Sequence, residues 1–264
     1  MNKAPETALI TGASAGIGAI YADRLAQRGW NLILVARNRD RLNQVAASIR
    51  LKSGVSVETM SVDLTGRAGQ QEIADRLIAD PRIGMLVNNA GFGSTAPIAQ
   101  ADPDVMADMI ALNVGAVARL AGAAASVFLS RGQGAIINIA SIVAIAPETL
   151  NGVYGGTKAF VLALSQALRH ELAPKGIRVQ VVLPGATATD FWRLSGTPVD
   201  ALPKAIVMSA DDVVDSALAG FDQGEFVTIP SLPDEGDWEA FESARQALVP
   251  NLSHASPAAR YARV

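Results

Sequence analysis

The sequence predicts a doubly wound α/β fold, a predominantly parallel sheet of about seven strands with helices on both faces. Three observations lead there. Short runs of continuous apolar residues recur along the chain, as strands buried on both faces require. Stretches of helical periodicity separate them. The first run ends in a glycine-rich turn that opens directly into the first helical stretch. The 264 residues are 50% hydrophobic and 18% charged, enough to bury a sizeable core as one domain over 1–264.

Thr7 to Thr11 (TALIT) is the first strand, closed by Gly12, and Ile17 to Arg28 is the first helix. Asn31 to Ala36 is a second strand and Asp40 to Arg50 a second helix. Val55 to Val62 alternates as a strand and ends at Asp63, and Arg67 to Ala79 is helical. Ile83 to Val87 is a strand running into Asn88-Asn89-Ala90-Gly91. A long helix covers 102–130, Ala135 to Ala140 is a strand, and a second long helix covers 151–172. Ile177 to Leu183 is a strand stopped by Pro184-Gly185, Ala210 to Ala219 a helix, and Glu225 to Ile229 an edge strand. In the C-terminal segment 233–264, Asp234 to Leu248 reads as an amphipathic helix with Trp238, Phe241 and Leu248 on one side, followed by a Ser/Pro/Ala-rich tail. That segment suits either a cap on the domain or a cover for a neighbouring subunit's site.

Composition narrows the chemistry. There is no cysteine, so disulfides and thiolate metal sites are excluded. The two histidines fall late in a helix (His170) and in the polar tail (His254), and no metal is expected. A net charge of -3 without a basic block argues against nucleic acid. The N-terminus has no signal-like apolar core, and Arg119, Asn138 and Ser141 interrupt the long apolar stretches, so no membrane span and a cytoplasmic location are expected. The helices 102–130 and 151–172 are apolar most of the way round and have a second surface to bury. A homodimer or homotetramer through them is expected.

The turn Thr11-Gly12-Ala13-Ser14-Ala15-Gly16-Ile17-Gly18 has the spacing G-x-x-x-G-x-G. Glycines there allow a tight turn and close approach of backbone to a pyrophosphate, while the helix N-terminus offers amide donors. A dinucleotide is the implied ligand. An NAD-specific site presents an acid after the second strand; this chain has Arg37 there, and a guanidinium matches a 2′-phosphate. NADP(H) is therefore favoured over NAD(H).

The stretch from Ser141 to Lys158 carries the chemistry. It brings a hydroxyl at the end of a strand, then Tyr154 and Lys158 one helical turn apart. An ammonium beside a phenol favours the phenolate, so the tyrosine pKa is expected to fall towards working pH, making it a general acid or base.

Together these features resemble the short-chain dehydrogenase/reductase family in its single-domain form. The resemblance runs from Thr7 to about Ile229 and rests on the glycine turn, Asp63, Asn88-Asn89-Ala90-Gly91, Asn113, Ser141, Tyr154 with Lys158, and Pro184-Gly185 with Thr187. It implies a Rossmann-type fold and roles for these positions. Tyr154 would be the general acid/base, Ser141 would bind the substrate oxygen, and Lys158 would lower the tyrosine pKa and hold the nicotinamide ribose. Asn113 would hold a water of a proton relay. Asp63, with Leu64 beside it, would meet the adenine; Asn89, Ala90 and Gly91 would line the adenosine side; Pro184, Gly185 and Thr187 would lie by the nicotinamide. Gly12, Ser14, Ala15, Gly16, Ile17 and Gly18 would wrap the phosphates.

The substrate pocket is expected to draw on Phe92, Ser141, Val143, Phe191 and Trp192, which makes it mainly apolar and suited to an uncharged ketone or aldehyde and its alcohol. The alternative is a non-catalytic dinucleotide-binding sensor on the same fold. The set Asn113, Ser141, Tyr154 and Lys158 favours the enzyme, because a pure binder has no need of a tuned phenol.

Overall fold

The computed structural model describes residues 6–261; residues 1–5 and 262–264, touched by the readings of the N-terminus and the tail, lie outside them. The chain forms two compact units that divide after Pro230.

Among the described residues of the first unit, seven strands form one sheet. They are β1 (Thr7–Thr11), β2 (Asn31–Ala36), β3 (Val57–Ser61), β4 (Ile83–Asn88), β5 (Gly134–Ile139), β6 (Ile177–Val182) and, at the far edge, β9 (Val227–Thr228). Their order is β3-β2-β1-β4-β5-β6-β9, parallel throughout. The central strands are buried along their length, as continuous apolar runs require. From β1 the chain builds outward through β2 to β3, then returns to lay β4 on β1's other side. This reversal opens a crevice at the strands' carboxyl ends. A second, two-stranded pair, β7 (Thr187–Ala188) with β8 (Met208–Ser209), is too short to show periodicity in sequence.

One face of the sheet is covered by α1 (Gly16–Gln27), α2 (Arg39–Ser53) and α8 (Ala210–Gln223) around Tyr21, Leu25, Leu42, Ile49 and Leu218. The other carries α3 (Arg67–Ala79), α4 (Pro103–Ile110), α5 (Val117–Arg131) and α6 (Gly152–Leu172), while the short α7 (Phe191–Ser195) follows β7. Side-chain caps fix four of the starts. Asn38, Asp102, Asn151 and Ser209 each accept a bond from a first-turn amide of α2, α4, α6 and α8. α1, like α3, α5 and α7, has no side-chain cap; its cap position is Ala15.

The single long helix expected over 102–130 is interrupted. Residues Ala111–Ala116 form a π-helical segment between α4 and α5. Its cause is tertiary, because the Asn113 side chain is held by groups on other elements. Pro103–Arg131 is also, among the described residues, the helix long and apolar enough to cross a membrane, with mean hydropathy 1.6. Half of it is buried in this unit against α3, β4, β5 and α6, as a sheet-covering helix would be. Val105, Ile110 and Leu129 stay exposed on it.

In the second unit α9 (Glu235–Ala247) starts at the Asp234 cap, close to the expected span, with the Trp238 and Phe241 rings 5.3 Å apart.

Candidate active site

β5 ends at Ile139, and Ser141 follows in extended backbone as the cap of a short turn over Ile142–Ala144. Its Oγ donates to the Pro184 carbonyl at 3.3 Å and accepts from the Val143 amide at 3.4 Å. Asn151 fixes the start of α6 twice: its Oδ1 accepts from the Val153 and Tyr154 amides, and its Nδ2 donates to the Ala96 carbonyl at 2.6 Å. That sets Tyr154 in the first turn, where its hydroxyl is hydrogen-bonded with Ser141. Lys158 lies one turn further on the same buried face, 5.8 Å from the phenol ring centre, with Nζ donating to the Ile139 carbonyl at 2.9 Å.

Here the electrostatics depart from the expectation. The phenol is pushed up to about 12 by burial, with the Ser141 bond pulling weakly the other way. The ammonium is brought down to about 8 by its own burial. Desolvation dominates both groups, because the lysine sits behind the ring and no carboxylate accompanies it.

The Asn113 side chain is fully engaged within the protein. Its Nδ2 donates to the Phe92 carbonyl at 2.8 Å and to Thr157 Oγ1 at 3.1 Å, and its Oδ1 accepts from the Phe92 amide at 3.1 Å. Both amide protons are engaged, so the side chain ties the π segment, the loop after β4 and α6 together. A second buried chain was not anticipated: Asn88 Nδ2 donates to Asn138 Oδ1 at 3.0 Å, and Asn138 Nδ2 to Ser165 Oγ at 2.9 Å. It pins α6 to β4 and β5. Its only signal in the sequence is polar residues inside apolar runs.

The glycine turn lies against the loop after β4. Thr11 Oγ1 accepts from the amides of Asn89 and Ala90, both at 3.0 Å, and Asn89 Nδ2 donates back to the Thr11 carbonyl at 2.9 Å. Gly12 and Gly16 have φ of +68° and +53°, and a Cβ on Gly12 would come 2.7 Å from Asn89 Nδ2. Gly18 has no room for a Cβ because Gly12's carbonyl is pressed against it. Ser14, Ala15 and Ile17 complete the turn over the uncapped start of α1. Arg37 is exposed at the end of β2. Asp63 is held below the usual carboxylate range by the Thr65 amide and hydroxyl, with Arg37's charge adding to this; buried Leu64 follows it.

The substrate residues divide. Val143, Phe92 and Phe191 gather at Tyr154, with Met109, Leu150 and Val153. Phe191's ring is 5.5 Å from Tyr154's. Trp192 is buried and donates from Nε1 to the Thr187 carbonyl at 3.0 Å, anchoring the segment rather than opening onto the pocket. Pro184 and Gly185 lead from β6 into this segment, and Thr189 passes close over Gly16. Asp190 is bonded to Arg41 at the start of α2, at 3.1 Å.

A sequence model of the short chain dehydrogenases matches residues 6–198. The chain belongs to that family. It is an oxidoreductase acting on CH–OH groups and the corresponding carbonyls. It is similar to the very-long-chain 3-oxoacyl-CoA reductase of Macaca fascicularis, with 37% identity over 78% of this chain and 67% of the relative. Among solved structures it matches a short-chain dehydrogenase from Sphingobium yanoikuyae in complex with NADPH, with 49% identity, TM-score 0.94, and 97% and 99% of the two chains covered. It also matches the bulky-bulky ketone specific alcohol dehydrogenase from Comamonas testosteroni, with 43% identity, TM-score 0.91, and 99% and 100% covered. The seven-stranded parallel sheet flanked by helices matches the fold of these short-chain dehydrogenases.

Proposed function

We propose that this short-chain dehydrogenase reduces an uncharged ketone or aldehyde with NADPH, and runs the reverse oxidation, with Tyr154 as the proton donor and acceptor. The observation that carries this reading is the buried Tyr154–Ser141 hydroxyl pair beside the crevice, with Lys158 one turn behind it.

The residues fit a dinucleotide. The turn at Gly12 and Gly18 packs too closely on Asn89, Ala90 and its own backbone for side chains, Gly16 takes a left-handed φ, and the start of α1 has no side-chain cap to occupy its amides. Arg37 offers a guanidinium to a 2′-phosphate, and no acid stands beside it on β2 to bind the ribose hydroxyl of NAD. The family relative from Sphingobium yanoikuyae was solved with NADPH. Asp63, Asn89, Ala90, Gly91, Lys158 and Thr187 would hold the rest of the cofactor, which supplies the hydride when bound.

The chain's own residues supply the rest. Ser141 and Tyr154 form a pair of hydroxyls, and a carbonyl oxygen gaining charge during reduction would take the Ser141 proton in place of the Pro184 carbonyl. At a pKa of about 12 the phenol is protonated at neutral pH and enters reduction as an acid. The Lys158 charge, 5.8 Å from the ring centre, opposes the negative charge left on the phenol as the proton departs.

The test is NADPH oxidation against a panel of uncharged ketones and aldehydes. Tyr154→Phe is expected to lower kcat by about 10²–10⁴-fold while NADPH still binds. Equal turnover by the two proteins would sink the mechanism and leave the binding-protein alternative. Arg37→Ala should raise the KM for NADPH and leave that for NADH nearly unchanged; a parallel rise in both would remove Arg37 from phosphate recognition.

A further inference from the structure

Gln70 lies in the first turn of α3 and is buried, at 6% exposed. Its Nε2 donates to two carbonyls, those of Leu64 and Ala111, each at 3.0 Å. Its Oε1 accepts from Arg119 Nε at 3.4 Å, and Arg119 also donates to Gln71 Oε1 at 2.8 Å. The arginine that interrupts the apolar pattern of 102–130 thus meets two side chains of α3. Both protons and the oxygen of the Gln70 amide are engaged. The guanidinium, which can only donate, sets which end of that amide faces the carbonyls.

The two carbonyls belong to different parts of the site. Leu64 follows Asp63 in the loop proposed to meet the adenine. α3 presses on that loop: a Cβ on Gly69 would overlap the Asp63 carbonyl and come 2.8 Å from Val62 Cγ1. Ala111 opens the π segment, a break in the helical ladder of the kind that side chains from neighbouring elements can set. Two residues on, Asn113 donates to Thr157 Oγ1 at 3.1 Å, and that hydroxyl donates to the Tyr154 carbonyl at 2.8 Å. Hydrogen bonds and two residues of backbone therefore lead from the adenosine loop to the turn of α6 that carries the phenol.

We propose that Gln70 is a positioning residue for reduction. It holds the adenosine loop and the π segment in one register, so that the cofactor's adenosine half and the Tyr154 turn are placed together. The proposal rests on residues 63–64 meeting the adenosine and on Tyr154 acting as the acid. Gln70 acts through the Leu64 and Ala111 carbonyls.

Gln70→Glu and Gln70→Met test it. Ionised glutamate keeps the length and the Arg119 partner but has no proton for the two carbonyls, and methionine fills the space without a strong polar group. The measurements are the Kd of adenosine 2′,5′-bisphosphate (the cofactor's adenosine end alone), the single-turnover rate with saturating NADPH and an uncharged ketone, and Tm. In both variants the Kd should rise and the rate fall, each about tenfold, the size of a buried hydrogen bond left unmade. Leu77→Ala, about two turns further along α3, opens a cavity in the same helix. It should lower Tm and leave the other two quantities near wild type. Should neither Gln70 variant fold, Arg119→Met leaves the glutamine in place but frees its amide to turn, and about threefold changes in both quantities are expected.

A folded Gln70 variant that lowers Tm while the Kd and the rate hold would reduce Gln70 to packing and overturn the proposal. Movement of one quantity without the other would overturn it too, as would equal losses in Leu77→Ala. Where Arg119→Met stands in, unchanged values have the same force. Each of these results can occur while Tyr154→Phe still abolishes reduction, so this proposal can fail with the tyrosine mechanism intact. Tyrosine-independent turnover would remove the mechanism on which it rests.

Discussion

At the scale of single residues, Lys158 shows what the site costs the fold. Burial brings its pKa from 10.5 to about 8, with no carboxylate to compensate. The folded protein therefore holds fewer protons at this position than the unfolded chain between those values. Stability contributed through this group rises as pH climbs from about 8 towards 10.5, and the full penalty applies below about 8. Lys158→Met should remove up to about 3 kcal/mol of that penalty at pH 7. The variant is expected to melt higher than wild type at pH 7, to lose this advantage by about pH 10.5, and to be nearly inactive at both. Melting curves at the two pH values check the sign; a variant less stable at pH 7 would show that the ammonium's bond to the Ile139 carbonyl outweighs its desolvation. The pairing of Tyr154 with Lys158 was legible from their spacing. The direction of the tyrosine's shift was not, because spacing carries no information about how deeply a helix face is buried.

At the scale of elements, α6 is the part that must be placed correctly, and three polar contacts place it. Asn151 holds its start, Asn113 reaches Thr157 from the π segment, and Asn138 reaches Ser165 from β5. Asn138→Ala would leave the buried Asn88 Nδ2 without its acceptor, at a cost of about 1–3 kcal/mol, with the emptied side-chain volume adding to it. Urea unfolding should show that loss as a lower midpoint at unchanged slope; an unchanged midpoint would mean that the Asn88 amide finds another partner. Helices and strands with several turns or alternations were readable from periodicity, and their ends moved by one to a few residues. The π segment was not readable, because ALNVGA continues the apolar pattern without a break. What distorts it is the hold of Asn113 on Phe92 and Thr157, which are distant in sequence.

At the scale of the whole molecule, the sheet order and its crevice follow from a chain that starts at the centre, builds one side, and returns to build the other. The alternation of elements and the glycine turn after β1 were enough to anticipate a doubly wound parallel sheet, while its strand order came only with the structure. The contact of Asn151 with Ala96 was beyond reach of the sequence, because the loop after β4 and the start of α6 meet only through the fold. Another long-range meeting joins the two sides of the sheet. Arg41 and Asp190, 149 residues apart, close a link from the start of α2 to the segment lying over the glycine turn, and both side chains are about half exposed. An exposed ion pair is weakened by salt, with a screening length of about 8 Å at physiological ionic strength. The link is thus an ionic-strength-dependent tether on the segment that lies over the glycine turn. NADPH dissociation followed by stopped flow should quicken as KCl is raised. Asp190→Asn should dissociate fast already at low salt and respond less to KCl; equal salt slopes in both proteins would assign the effect to the phosphate contacts alone. Cofactor residence time in this enzyme is then a property of the medium as well as of the site.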